Sequence, residues 1–400
     1  MTRRAGRHFL QIPGPTNVPD RVLRAIDFPT IDHRGPDFAA IGKECLAGMK
    51  RVFKSTQGEV VIYPASGTGA WEAALVNTLS PGDRVLMAET GHFATLWRKL
   101  AERLSLTVDF LPGDWRRGAD ASEIEARLAA DTGHAIRAVC VVHNETSTGA
   151  ATRIPQVRGA LDRTRHPALL MVDTISSLAS MDYRHDEWGV DVTVGGSQKG
   201  LMLPPGLSFN AISAKALVAA GRAKLPRSYW DWREMLAPNA TGFFPYTPAT
   251  TLLRGLRASV DMLLAEGLDN VFARHRRLAD GARYGVAAWG LKLCAKEPKW
   301  HSDTVTAICV PTGFNSDDVV KTAYHRYRLS LGVGLSKVAG RVFRIGHIGN
   351  INEIMILQAL AGCEMALRDV GVPVAAGSGV AAAQEHFRET APRMELSKVA

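Results

Sequence analysis

Gly195-Gly196-Ser197-Gln198-Lys199-Gly200, placed directly after the apolar run Val190-Asp191-Val192-Thr193-Val194, decides how this chain is read. Lysine prefers water, so one set among small residues just past a buried-looking strand is poorly explained as surface. Small neighbours let a ligand approach the backbone. Desolvation lowers the amine pKa and leaves a neutral nucleophile. A plain loop lysine beside a turn is the competing explanation, and the rest of the chain has to decide between them.

Upstream, Leu169-Leu-Met-Val-Asp173 is a second apolar run that closes on an acid. Asp173 either caps the residues that follow it or partners a buried cation. Asp173 and Lys199 terminate successive strand-like runs, so both can face one cleft. Further back, Val60-Val-Ile-Tyr63 reads as a strand, Pro64 to Gly69 as a small-residue loop, and Thr68 to Asn77 has helical spacing. Free amides and a helix dipole aimed at one spot make an anion site, to which Thr68 adds a hydroxyl. The loop is neither a Walker motif nor a full dinucleotide fingerprint. Taken together, the three signals point to pyridoxal phosphate. Asp173 keeps the pyridine nitrogen protonated, Lys199 carries the aldehyde as a Schiff base and moves the proton, and the loop at 66–69 takes the phosphate.

From residue 60 short apolar runs alternate with amphipathic stretches: strands at 84–87, 106–111 and 137–142, helices at 93–104 and 122–130. The pattern predicts βαβ units and an α/β fold with a mainly parallel sheet, ligands sitting at the carboxyl ends of its strands. His143 to Gly149, a polar block directly after a strand, is costly to bury unless it bonds something. His92-Phe93 opens a helix where an aromatic can lie on a flat ring. Arg344 alternates with Phe343 and Ile345, which makes it either a carboxylate clamp or part of a solvated strand face. Ile12 to Pro19 is too rich in proline and glycine for helix and reads as a rigid extended arm. His33 and Arg34 lie in a tight connection, where Arg34 can meet a carboxylate. At 400 residues the chain exceeds one core. The expected division is an arm (1–20), a large domain (21–255), a smaller C-terminal α+β domain (256–375) and a tail (376–400).

Hydrophobic residues make up 46% and charged residues 22%, as in ordinary globular enzymes. The net charge of +9 is scattered and lacks interleaved aromatics, which argues against a nucleic-acid partner. Five cysteines without CxxC spacing read as reduced core thiols, with no disulfide framework and no metal site. No window approaches a membrane span and no apolar leader follows Met1, so a cytoplasmic protein is expected.

In these segments the chain resembles the class V, fold type I pyridoxal-phosphate aminotransferases. The similarity is carried by PGPTNVP (13–19), SGTGAWEAALVNTLSPGD (66–83), VHNETSTG (142–149), LLMVDTISS (169–177), DEWGVDV (186–192), GSQKG (196–200), PYTP (245–248) and KVAGRVFRIGHIGN (337–350). Within that family it looks most like the serine-glyoxylate members of the alanine-glyoxylate group. The resemblance implies a seven-stranded sheet, a homodimer crossed by the N-terminal arm, and transfer of the amino group of serine to glyoxylate. Alanine or aspartate is the alternative donor, and a desulfurase-like carbon-sulfur lyase the rival from another class. It also implies roles: Lys199 as Schiff-base lysine, Asp173 as pyridine partner, and Thr68, Gly69 and Gln198 at the phosphate. Ile175 joins the cofactor contacts, Phe93 stacks, Thr146 meets the phenolic oxygen, and Thr247 is lent across the dimer. Arg344 clamps the substrate carboxylate, with Arg34 and Thr146 also on the substrate side. The sequence departs from the family at Phe244, where some members carry a tyrosine that Tyr246 can replace. The pair His92-Phe93 offers two rings for one stacking position.

Overall fold

The computed structural model describes residues 6–391. The predicted runs form β1 (Glu59–Tyr63), β2 (Arg84–Ala88), β3 (Thr107–Leu111), β4 (Ile136–Val142), β5 (Leu169–Asp173), β6 (Val192–Gly196) and β7 (Ser208–Ile212). They make one seven-stranded sheet in the order β1-β7-β6-β5-β4-β2-β3, parallel at every pair except the two that β7 makes. Every residue of β5 and β6 is buried, as expected where helices cover both faces. Side chains alternate between two cores, because successive Cβ atoms point to opposite faces. Val139, Val141, Leu170 and Val172 join one core with the helices Pro36–Phe53 and Thr250–Glu266. Cys140, Val142, Met171, Val192 and Val194 join the other with the helix Gly67–Thr78.

The run before Lys199 is shifted relative to its sequence reading. Val190 and Asp191 precede the ladder, and β6 continues through Gly195 and Gly196, which pair with Phe209 and Ser208. The Asp191 carboxylate accepts the Leu170 amide at 2.8 Å instead of extending the strand. The strand therefore ends closer to Lys199 than the apolar residues alone suggest.

A second sheet of β8 (Lys292–Leu293), β9 (Val305–Cys309), β10 (Gly332–Val333) and β11 (Val342–Gly346) is antiparallel throughout, in the order β8-β9-β11-β10. Phe343 and Ile345 face its core, together with residues of the helices Leu268–Ala288 and Glu353–Asp369. Within the stretch read as a tail, Ser378–Glu389 is a helix whose Ala383 and Phe387 join this core. The ends of the expected arm and tail, 1–5 and 392–400, lie outside the described residues. Of the arm, Phe9–Leu10 pairs in parallel with Leu329–Ser330 of the same chain. Farther along, the Thr16 hydroxyl donates to the Lys199 carbonyl at 3.0 Å.

The connection from β5 to β6 is pinned by Asp186, whose carboxylate accepts Thr56 N at 2.6 Å, Gln57 N at 3.1 Å and the Ser55 hydroxyl at 3.0 Å. Burial alone would raise the Asp186 pKa, but the Thr56 and Gln57 amides and the hydroxyls outweigh it, and the pKa is lowered. A lowered folded-state pKa contributes stability above the unfolded value that is lost as pH falls through the folded one. Asp186→Asn should therefore cost about 1–2 kcal/mol in a urea titration at neutral pH. The gap to the parent chain should close below about pH 4. An equal gap at both pH values would contradict this account.

Candidate active site

The ladder sets Val142 and Asp173, the last residues of β4 and β5, in line with Val194 of β6, which runs two residues further. Beyond them opens a cavity of about 220 Å³. Lys199 and Asp173 line it together with Thr68, Phe93, Thr146, Ile175 and Gln198. Gly69, Arg344, Arg34 and Thr247 do not. Gly69 lies behind the wall, where an added Cβ would stand 2.7 Å from Trp230 Cη2. Arg34 and Thr247 are exposed on the surface.

Each wall has a local cause. The helix Gly67–Thr78 begins at Ser66 without a side-chain cap, and Ser66, Gly67 and Thr68 line the cavity, so its positive end is presented there. Phe93 is set by Glu145, a fully buried carboxylate at the start of the helix His92–Arg103. Glu145 accepts the Ala94 amide at 3.1 Å and the Ser147 hydroxyl at 2.6 Å. His92 does not line the cavity; its Nδ1 lies 2.8 Å from Ser336 Oγ. Gly14 and Pro15 of the arm also line the cavity, and Lys199 Nζ donates to the Pro13 carbonyl.

A chain of hydrogen bonds ties the polar block after β4 to the second sheet. Thr146 Oγ1 donates to Ser176 Oγ at 2.7 Å and Ser176 Oγ to the Asn144 carbonyl at 2.8 Å. Asn144 Nδ2 donates to Thr304 Oγ1 at 2.8 Å, and Thr304 Oγ1 to the Ser176 carbonyl at 2.9 Å. Arg344, in β11, is only 6% exposed, which excludes the solvated strand face. Its Nη1 donates to the Thr146 carbonyl at 2.9 Å. Asn144, Trp71, Ser176, Glu145 and Thr304 carry no individual mark in the sequence. The polar block after β4 pointed to the first and fourth, whereas Thr304 had no local mark. Tyr246 donates to Glu234 at 2.6 Å and stacks on Tyr229.

Burial lowers the Lys199 pKa to about 7, with the Arg344 charge in support and Asp173 and Glu145 opposing. Burial likewise raises Asp173 to about 7, against the Ile175 amide, which donates to its Oδ1 at 2.7 Å. Two buried oxygens of cavity-lining residues, Asn144 Oδ1 and Gln198 Oε1, have no partner among the described residues. Such orphans are costly unless a polar ligand answers them. Pyridoxal phosphate fits this set. It brings a phosphate for the uncapped helix start, a ring N–H for Asp173, an aldehyde for a neutral amine, and a flat ring for walls that include Phe93 and Ile175. Among the described residues no group of three His, Cys, Asp or Glu could hold a metal ion. Among the described residues no helix is long and apolar enough to cross a membrane.

This sheet, with a buried lysine–aspartate pair at its carboxyl edge, is the arrangement of an aminotransferase, and the chain belongs to the class-V aminotransferases, whose family profile matches residues 8–336. It is 53% identical over 393 residues to a serine–glyoxylate aminotransferase of Methylorubrum extorquens, covering 97% of this chain and 98% of that one. It is 52% identical over 379 residues to an L-aspartate–glyoxylate aminotransferase of Paracoccus denitrificans, covering 95% and 96%. Among solved structures, pyridoxamine-pyruvate aminotransferase from Mesorhizobium loti superposes with a TM-score of 0.89 at 27% identity, covering 96% and 98%.

The electrostatics predict a titration. With Lys199 labelled by ¹³C reductive methylation in the cofactor-free chain, its NMR midpoint should fall near 7. Arg344→Gln should move that midpoint upward, because removing a nearby positive charge favours the ammonium form. An ordinary lysine midpoint in the parent chain would refute the burial argument.

Proposed function

We propose that this chain is a pyridoxal-phosphate-dependent transaminase that passes the amino group of L-serine to glyoxylate, giving hydroxypyruvate and glycine. The observation that carries the reading is the convergence of Lys199 and Asp173 on one cavity, in a chain 53% identical to a serine–glyoxylate aminotransferase. The cofactor supplies an electron sink for the carbanion formed at the substrate Cα.

The chain's own groups do the rest. Lys199 Nζ, its pKa lowered to about 7 by burial, would take the proton from the substrate Cα and return it later in the transfer. Asp173 holds a positive ring nitrogen in place. Thr68, Gln198 and the start of the helix Gly67–Thr78 hold the phosphate, with Gly69 behind them packed on Trp230, and Phe93 and Ile175 flank the ring. Thr146 bonds the phenolic oxygen. Arg344 takes the α-carboxylate, and Arg34, exposed in its own chain, keeps the substrate role that the resemblance implies. Thr247, exposed in its own chain, completes the phosphate site of a partner in a homodimer. Of the expected parts, 1–20, 21–255, 256–375 and 376–400, two bounds move with packing: the helix Thr250–Glu266 belongs whole to the large domain and the helix Ser378–Glu389 to the small one; a cytoplasmic location is part of the proposal.

Aspartate is the second donor to weigh, because the Paracoccus relative carries that name. Lys199 is the one cation among the described residues lining the cavity, and the second carboxylate of aspartate would need another. The neutral hydroxyl of serine does not, which favours serine. A carbon-sulfur lyase is disfavoured because none of the five cysteines lines this cavity.

Half-reactions followed through the visible band of the bound cofactor test the donor: serine should convert it faster than alanine or aspartate, and a faster aspartate would transfer the assignment. Lys199→Ala should lose both that band and turnover; a variant keeping both would remove Lys199 from the chemistry. Arg344→Ala should raise the serine KM by a charge-assisted pair of about 2–3 kcal/mol, roughly 30- to 150-fold.

A further inference from the structure

The 220 Å³ site is not the roomiest hollow. A cavity of about 440 Å³ lies between the loop that follows β3 and the second sheet. Trp115 and Arg116 wall it on one side, Cys309 to Phe314 and Val338 to Val342 on the other, with Cys294 also in the wall. Of the five cysteines only Cys309 is not fully buried.

Its surroundings are cationic. Arg116 and Arg341 line the same cavity, and Lys292 sits directly opposite Cys309 in the ladder of β8 and β9. The one acid in the lining, Asp114, is answered by Lys296 at 2.7 Å. Trp115, Val310, Phe314 and Val342 add apolar wall for the carbon part of a ligand. Nothing in the proposed transamination uses this hollow. We propose that Cys309 is a modification site that exchanges with small, negatively charged disulfides, forming a reversible mixed disulfide held by Arg116 and Arg341.

The step balances. The Cys309 thiolate attacks one sulfur of the reagent, the reagent's S–S bond breaks, and the departing thiolate takes up the proton that Cys309 released. A second small thiol reverses it. The charges of Arg116, Arg341 and Lys292 favour the Cys309 thiolate against the effect of burial, while the Cys294 thiol donates to the Trp115 carbonyl at 3.6 Å. Burial pushes the thiols of Cys45, Cys140 and Cys363 up. Thiolate character and access together select the reactive thiol.

The neighbouring Cys294 does not finish the reaction. Its amide donates to the Ala307 carbonyl, which places it diagonal to Cys309 across the ladder. Diagonal positions lie about 7–8 Å apart, beyond the Cα separation of about 4.4–6.8 Å that a disulfide spans. The exchange therefore stops at the mixed disulfide. The adduct would sit against Val338, the end of a short turn whose Ser336 holds His92, so the cavity abuts the helix that carries Phe93.

Intact-mass spectrometry of the full chain, treated with oxidised glutathione or with neutral hydroxyethyl disulfide at equal concentration, tests the proposal. One adduct should form, map to Cys309 in the peptide digest, disappear in Cys309→Ser and be removed by excess thiol. The anionic disulfide should react about tenfold faster than the neutral one, and Arg341→Gln should erase most of that difference. No adduct, an adduct on another cysteine, or equal rates with the two disulfides would overturn it. The peptide map of the unsubstituted protein keeps the test valid should a variant fold poorly.

Discussion

Lys199 and Asp173 are 7% and 4% exposed, at the ends of neighbouring parallel strands, and much of the architecture follows from keeping both out of water. An isolated buried charge is expensive, so each group drifts toward its neutral form, and each becomes receptive to a ligand that restores a charge partner. The register of β4, β5 and β6 matters because it brings Val142, Asp173 and Val194 into line. Glu145 and Arg344 form the next ring of charge. One is spent on the helix that carries Phe93, the other on the carbonyl of Thr146, and both tune the lysine.

Much of this was legible in the sequence, for a physical reason: fully buried parallel strands are written as continuous apolar runs, and chemistry-bearing residues stand at their ends. Asp173 and Lys199 could be found in that way. So could Arg344, since a cation between Phe343 and Ile345 must face away from the core they enter. What stayed hidden depends on distant partners. Thr304 meets Asn144 across 160 residues, and no local pattern encodes that meeting. The helix Ser378–Glu389 was read as tail because its apolar residues are few and gain meaning only against the helix Leu268–Ala288. Gly69 was read as part of a phosphate loop, whereas packing against Trp230 already requires a glycine there.

Two sheets with separate cores share the work. The larger supplies the lysine, the carboxylate and the uncapped helix start; the smaller supplies Arg344 and, through Thr304, a brace for the polar block after β4. The brace and the arginine grip the same loop from one side. The site therefore reports the relative placement of two cores, and a packing change in the second sheet is transmitted to Thr146 without any contact to a ligand.

The single antiparallel strand, β7, has its own consequence. A parallel successor to β6 would need a long crossover, leaving the lysine at the mouth of an open connection. Instead the chain returns through residues 197–207, a connection laced by the Ser197 hydroxyl, which donates to the Pro204 carbonyl and accepts the Leu207 amide. The lysine is thus mounted on a hairpin whose two legs lie within the sheet. The ladder anchors the connection at both ends and the Thr16 hydroxyl holds the Lys199 carbonyl, so the freedom that turnover requires falls mainly to the four side-chain methylenes of the lysine.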